Sequence, residues 1–90
     1  MINVTDRAKH EIKRISSASV DMPQARLRLI DRGKGILGFG IDIEMPDDRL
    51  VKYNSATVLV IENQLAARLK GVTLDVDDSD KGPELVICYS

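Results

Sequence analysis

Residues 26–45 read RLRLIDRGKGILGFGIDIEM, and this stretch decides the fold. Its opening, Arg26-Leu27-Arg28-Leu29, alternates charged and apolar side chains with the two-residue period of a half-buried strand. Four glycines then fall between Gly33 and Gly40, and alternation resumes with Phe39, Ile41 and Ile43. The stretch therefore predicts a strand, a glycine-rich loop and a second strand.

Upstream of this stretch the pattern changes to a helical one. Ile2 to Val4 is typical of a short strand, and Thr5 is a suitable N-cap for a helix from about Asp6 to Ser17. Three apolar positions at helical spacing, Ala8, Ile12 and Ile15, define its buried face. The positions expected to face water are Arg7, Lys9, Glu11, Lys13 and Arg14. Residues 16–24 then form a connection.

Downstream, turn residues separate further short elements. We expect a turn at 46–48, a strand from Arg49 to Tyr53, a turn at Asn54-Ser55, and a strand from Ala56 to Ile61 that is buried on both faces. A short helix from Glu62 to Leu69 ends near Gly71, a strand follows through Val72, Leu74 and Val76, and residues 78–83 form an acidic turn before a strand from Leu85 to Tyr89. The predicted order is β-α-β-β-β-β-α-β-β. It indicates one α+β domain spanning 1–90, with mixed, mainly antiparallel sheets.

Composition narrows the function classes. Thirteen Lys and Arg against fourteen Asp and Glu leave a net charge of -1, without the positive field that nucleic-acid binding requires. One Phe, two Tyr and no Trp are too few for a base-stacking platform. The longest apolar run, Val58 to Ile61, is far below the ~20 residues of a membrane span, and the N-terminus has no signal-peptide pattern. We therefore expect a cytoplasmic protein that binds neither nucleic acid nor membrane.

The glycine loop literally matches a dinucleotide-binding fingerprint. Gly33-Lys34-Gly35-Ile36-Leu37-Gly38 reads G-x-G-x-x-G after a predicted strand. That fingerprint works by opening a helix whose N-terminus binds a pyrophosphate, and an acid follows about 20 residues on. Here Gly38 leads into an alternating strand, and no acid lies near Tyr53. A glycine-rich turn is the better interpretation.

Other chemically capable residues do not form a catalytic pattern. His10 is the single histidine and is expected on the solvated helix surface, and Cys88 is a lone strand thiol expected to act as a small hydrophobe. The acidic residues Asp75, Asp77, Asp78 and Asp80, with Asp47, Asp48 and Glu44, could hold a hard cation if the turns converge. Their spacing matches no EF-hand loop, so a solvated acidic turn is favoured. The sequence predicts no enzyme.

Residues 26–45 resemble the HesB-like family of A-type iron-sulfur carriers. In that family an L-R-L strand leads through a G-C-S-G loop into an alternating strand closed by E-F. Here Leu27-Arg28-Leu29 leads through Gly35-Ile36-Leu37-Gly38 into a strand that ends at Glu44, without a gap. The opening strand and helix, the Asp47-Asp48 turn, the Val58 to Ile61 strand and Leu74-Asp75 follow the family's order.

The resemblance implies an iron or iron-sulfur cofactor, but its ligands are missing. In these carriers the loop cysteine and two cysteines of a Cys-Gly-Cys tail bind the metal, usually across a dimer. Ile36 occupies the loop-cysteine position and offers no donor atom to iron. The sequence stops at Ser90, and Cys88 falls before the place where the tail thiols would lie. We therefore expect no bound cofactor.

Two hypotheses from different classes follow. In the first, the chain is a non-catalytic accessory in iron-sulfur cluster assembly or iron handling. In the second, it is a cysteine-free structural or protein-interaction module. Either one needs a protein partner or self-association. The candidate binding loop presents a basic and apolar surface where the carriers present a thiol; its residues are Arg32, Lys34, Gly35, Ile36, Leu37 and Gly38.

Overall fold

The structure is a computed structural model that describes residues 2–34 and 36–89. Its elements are β1 (Asn3–Val4), α1 (Asp6–Ser19), β2 (Ala25–Asp31), β3 (Leu37–Ile43), β4 (Arg49–Tyr53), β5 (Ala56–Ile61), α2 (Asn63–Arg68), β6 (Val72–Ser79) and β7 (Gly82–Tyr89). This order matches the predicted one, and the fold is α+β.

The strands form two mixed sheets within the described ranges. One has the order β1-β6-β7 and the other the order β3-β2-β5-β4. Pairing is antiparallel for β2–β3, β4–β5 and β6–β7, and parallel for β1–β6 and β2–β5. The mainly antiparallel arrangement is thus confirmed, and β3 lies at an edge of the larger sheet.

Both sheets and both helices contribute to a single hydrophobic cluster. It contains Ile12 of α1, Leu29 of β2, Leu59 of β5, Leu65 of α2 and Leu74 of β6, each almost fully buried. Residues Val58 to Ile61 are buried on both faces of β5, as predicted for a central strand. The framework that positions β3 is therefore organised around β5.

Helix α1 begins as predicted. The Thr5 hydroxyl accepts a hydrogen bond from the Ala8 amide at 3.2 Å and so caps the first turn. The same hydroxyl donates to the Asp75 carboxylate at 2.8 Å, which fastens the start of α1 to β6. The prediction for Glu11 is wrong: its side chain is buried and accepts a hydrogen bond from Arg14, which neutralises the charge at the edge of the core.

Several boundaries differ from the sequence prediction, including those of α2, which spans Asn63–Arg68 rather than Glu62 to Leu69, and of β2, which spans Ala25–Asp31. Helix α1 continues to Ser19, two residues beyond the predicted end, and β3 begins at Leu37 rather than Phe39. The acidic turn at 78–83 is shorter than expected, because Ser79 pairs with Gly82 across a two-residue turn. Pro83 is tolerated there because β7 is an edge strand.

Candidate functional site

The loop between β2 and β3 is closed by its own backbone. The Arg32 amide donates to the Ile36 carbonyl at 2.8 Å, and the Ile36 amide donates to the Gly33 carbonyl at 3.0 Å. The Asp31 carboxylate accepts from the Gly33 amide at 2.8 Å and pairs with Arg68 of α2 at 3.2 Å. These bonds turn the chain sharply and leave the loop side chains pointing to solvent.

The glycines of this segment serve two different purposes. Gly33 has φ 87° and Lys34 has φ 56°, so the tight turn uses the left-handed region that glycine adopts easily. At Gly38 an added Cβ would meet Nε of the exposed, flexible Arg32 side chain, which could move aside. At Gly40 it would meet Cδ1 of the half-buried Ile30 side chain, which has less room to move. Since Gly38 lies in a strand, the loop lacks the helix that a dinucleotide site requires.

The predicted binding loop is only partly presented as expected. Arg32, Lys34 and Ile36 are exposed, with Ile36 at 58% exposure. Leu37 is half-buried and packs against the core, so it contributes little to the surface. Gly35 lies outside the described residues.

The rest of β3 extends the apolar surface that begins at Ile36. Ile41 and Ile43 are 55% and 56% exposed, and Met45 just beyond the strand is 50% exposed. Ile41 and Ile43 pair with Leu27 and Ala25 of β2, so they lie on the core-facing side of the sheet but beyond the reach of the core. We call Ile36, Ile41, Ile43 and Met45 the β3 apolar edge. The alternating pattern predicted a half-buried strand but not the exposure of Ile41 and Ile43. That exposure depends on the place of β3 in the assembled sheet, which the local sequence does not show.

A partly buried ion pair holds the far end of β3. The Arg28 guanidinium donates to both carboxylate oxygens of Asp48, at 3.0 and 2.6 Å, and to the Ile43 carbonyl at 2.9 Å. Asp48 also accepts from the Met45 amide at 2.7 Å. Together these bonds fix the turn between β3 and β4 against β2. No local sequence pattern predicts the pair, because its two residues lie twenty positions apart.

Electrostatics at this pair favours the charged forms. The hydrogen bonds from Arg28 hold the pKa of Asp48 below its ordinary value, against the opposing effect of burial. The pKa of Arg28 is raised by the same contact. Arg28 Nε lies 3.4 Å from Asp42, which adds a second, weaker acidic neighbour. The pair is therefore a fixed structural clamp.

An open acidic groove lies beside this clamp. Its cavity volume is about 650 Å³, and Arg28, Asp42, Asp48 and Glu62 are among its lining residues. Further lining comes from Ile43, Met45, Asp47, Asn63 and Gln64. The charge of Arg28 is neutralised by Asp48, so the other acids of the lining, Asp42, Asp47 and Glu62, give the groove a negative surface.

The donor set does not fit an iron or iron-sulfur group. Across 2–34 and 36–89, no three His, Cys, Asp or Glu side chains come together to hold a metal ion. Ile36 stands at the loop position, and Cys88 lies on β7 of the other sheet, where it is exposed rather than packed as a small hydrophobe. The predicted acidic residues also separate, since Asp75 binds Thr5 and Asp48 binds Arg28.

His10, the single histidine, lies on the solvated surface of α1, as predicted. His10 is exposed, and its ring meets the edge of Tyr53 with centroids 6.0 Å apart. No helix in the described part of the chain is long and apolar enough to cross a membrane.

Three solved structures share this architecture. A crystal structure of Escherichia coli SufA, involved in biosynthesis of iron-sulfur clusters, superposes with a TM-score of 0.67 at 17% identity, covering 98% of this chain and 84% of SufA. A crystal structure of IscA with its [2Fe-2S] cluster gives 0.61 at 20% identity, covering 99% and 85%. A solution structure of an Aquifex aeolicus protein gives 0.58 at 20% identity, covering 99% and 91%.

Sequence comparisons add nothing to these likenesses. No family model matches the chain, and no curated protein matches it. At 17–20% identity the structural matches establish the fold, which is the HesB-like fold of the A-type iron-sulfur carriers.

Proposed function

We propose that this chain, which has the fold of the A-type iron-sulfur carriers, is a non-catalytic accessory protein that binds another protein through the β3 apolar edge. The observation that carries the proposal is the exposure of Ile41 and Ile43 on β3 and of Ile36 and Met45 just before and after it, each at least half exposed. Large apolar side chains left exposed along one sheet edge are typical of interaction sites on soluble proteins. The cations of Arg32 and Lys34 lie at one end of it and supply part of a polar rim.

Iron-sulfur cluster assembly is the setting that the fold suggests. SufA and IscA, which share the fold, are a cluster-biosynthesis protein and a cluster-bound protein. This chain has one cysteine and an isoleucine at the loop position, so thiolate ligands would come from its partner. Its own contribution is recognition of that partner, without a chemical step.

A second candidate keeps the interaction surface and drops the link to iron. Ile36 favours it, because an apolar side chain at the loop position serves protein contact and has no affinity for metal. In that case the chain is a structural or protein-interaction module that retains only the scaffold of the carriers.

Anaerobic reconstitution with iron and sulfide tests the absence of thiolate chemistry. We expect no stoichiometric iron on the isolated chain, and the same result for Cys88→Ser. Stoichiometric iron that disappears in Cys88→Ser would establish cluster binding by this chain and overturn the proposal.

Capture of a carrier separates the two candidates. Immobilised wild-type protein is mixed with purified E. coli SufA, and the bound fraction is compared with that of Ile36→Asp. Met22→Asp is the matched control, since Met22 is 62% exposed but lies in the connection between α1 and β2. Capture that is lost in Ile36→Asp and kept in Met22→Asp supports the accessory role. If the wild-type protein does not capture SufA, the result supports the second candidate, an interaction module with no role in iron handling.

A further inference from the structure

Three lysines of α1 and β4 come together on one side of the folded chain. Lys9 and Lys13 are four residues apart on α1, so they share one face of the helix. Lys13 places its Nζ 5.6 Å from the centre of the Tyr53 ring at the end of β4, and Lys52 is the residue before that tyrosine. The helix and the edge strand therefore form one positively charged surface, which we call the α1–β4 lysine face (Lys9, Lys13 and Lys52).

These lysines have no ion-pair partner within residues 2–34 and 36–89. By contrast, Arg7, Arg14 and Arg68 each pair with an acid of the same chain. Two like charges four residues apart on a helix repel one another, and Lys9 is in addition half-buried. The folded chain therefore leaves an unbalanced positive charge at this surface, although its net charge is -1.

An open depression is lined by two of these lysines. Its volume is about 180 Å³, and Lys9 and Lys52 supply the charge of its lining. The other lining residues are Ile2, Asn3, Val4, Leu50 and Val51. Strands β1 and β4 border it, and each is the edge strand of a different sheet. No acidic or aromatic side chain of the described residues contributes to its lining.

The size and charge of this depression favour an acidic peptide segment as its occupant. Pockets for small molecules hold roughly 300–1,000 Å³, so a volume of about 180 Å³ suits a side chain better than a cofactor. Nucleic acid is disfavoured because single strands stack their bases on aromatic side chains, which this lining lacks. A carboxylate complements two lysines without partners, and the unpaired edges of β1 and β4 offer backbone hydrogen bonds to an extended chain.

Protection of a sheet edge explains only part of this arrangement. Lysine on an edge strand discourages pairing with another sheet, and Lys52 on β4 has that effect. Lys9 and Lys13 lie on a helix, where no strand edge needs protection. Their position beside Lys52 instead matches a surface that admits an acidic segment and rejects a basic one.

From these observations we infer that the α1–β4 lysine face binds an extended acidic segment of a partner protein. One carboxylate of that segment lies between Lys9 and Lys52, and a neighbouring carboxylate lies at Lys13. This inference goes beyond the proposed function, because β4 and β3 lie at opposite edges of the four-stranded sheet. The chain thus has two separate recognition surfaces, one apolar and one basic.

Fluorescence anisotropy of a labelled hexaglutamate peptide at low ionic strength tests this binding. We expect wild-type protein to bind the peptide, and Lys9→Glu and Lys52→Glu each to weaken binding about tenfold or more, since each replaces an attraction with a repulsion. Lys81→Glu is the matched control, because it makes the same charge change at an exposed lysine between β6 and β7, and it should bind like wild type. No binding by wild type, or equal losses in Lys81→Glu and Lys52→Glu, overturns the inference.

Lys52→Gln keeps the test valid if a charge reversal prevents folding. It removes the charge of an exposed side chain without reversing it, so circular dichroism should show a folded protein. We expect it to weaken binding of hexaglutamate about threefold or more. Folded Lys52→Gln protein that binds with wild-type affinity contradicts a role for Lys52 and overturns the inference.

Two further probes separate a peptide site from a general attraction of anions. Hexaglutamine should not bind, because it carries no charge. A single-stranded hexauridylate RNA should bind about tenfold more weakly than hexaglutamate, because the depression has no aromatic side chain for base stacking. RNA binding as tight as peptide binding, and weakened equally by Lys52→Glu, would make this face a general polyanion site and overturn the assignment to an acidic peptide.

Discussion

Strands β3 and β5 both pair with β2 in one sheet, yet they bury very different shares of their side chains. Leu59, Val60 and Ile61 of β5 are fully buried, whereas Ile41 and Ile43 of β3 are more than half exposed. All five are aliphatic, so hydrophobicity does not separate them. Their positions relative to the core do: β5 is paired on both sides and lies within the hydrophobic cluster, whereas Ile41 and Ile43 lie beyond Leu37 and Phe39, the part of the edge strand β3 that packs against that cluster. Stability is therefore concentrated in β5, and surface for recognition in β3.

Truncation of one side chain in each strand gives the largest expected contrast. Leu59→Ala should lower the free energy of unfolding by about 2–5 kcal/mol, because it removes buried apolar contacts and leaves a cavity. Ile41→Ala should change it by less than about 1 kcal/mol, since that side chain is already half in water. Urea unfolding measures both values. Equal losses would mean that the outer part of β3 is covered in the folded chain.

Loss of the ion pair between Arg28 and Asp48, at the acidic end of β3, should give the next largest change in the free energy of unfolding. Asp48→Ala leaves the partly buried Arg28 guanidinium without its main partner, and we expect a loss of about 2 kcal/mol in the free energy of unfolding. The loss is smaller than for an isolated pair because Arg28 keeps Asp42 and the Ile43 carbonyl. Asp47→Ala, one residue away and exposed, is the matched control and should be nearly neutral. Similar losses for the two variants would show that the turn is not held by Asp48.

The same clamp predicts a pH dependence. The pKa of Asp48 is lower in the folded chain than in the unfolded chain, so its contribution is present above the unfolded pKa and is lost as the pH falls through the folded pKa. We expect the stability difference between wild type and Asp48→Asn to narrow on acidification. Urea unfolding over a pH series measures it. A difference that stays constant or widens in acid would contradict the charged pair.

The elements of this fold follow from local signals, and several were therefore predictable. Thr5 caps α1 as expected, and Asn54 and Ser55 have positive φ in the tight turn that their residue types predicted. Those signals act over a few residues, so they can be read along the chain without knowing the tertiary arrangement.

The candidate site was less predictable, because it depends on contacts between residues that are distant in the sequence. Glu11 was placed on the wet face of α1, but its ion pair with Arg14 allows burial at the core boundary. Arg28 and Asp48 meet only after β2, β3 and the following turn have assembled. The exposure of Ile41 and Ile43 depends on which strand lies at the edge, and alternation is the same for an edge strand and a central one.

Amide hydrogen exchange compares β3 and β5 most directly and tests whether β3 is an open edge. In dilute protein, we expect amides of β5 to exchange only through global unfolding, while outward-facing amides of β3 exchange much faster. Adding purified SufA should protect the β3 amides and leave those of β5 unchanged. Protection of β3 that equals that of β5 in the chain alone would show that the edge is covered within one chain and would contradict the account.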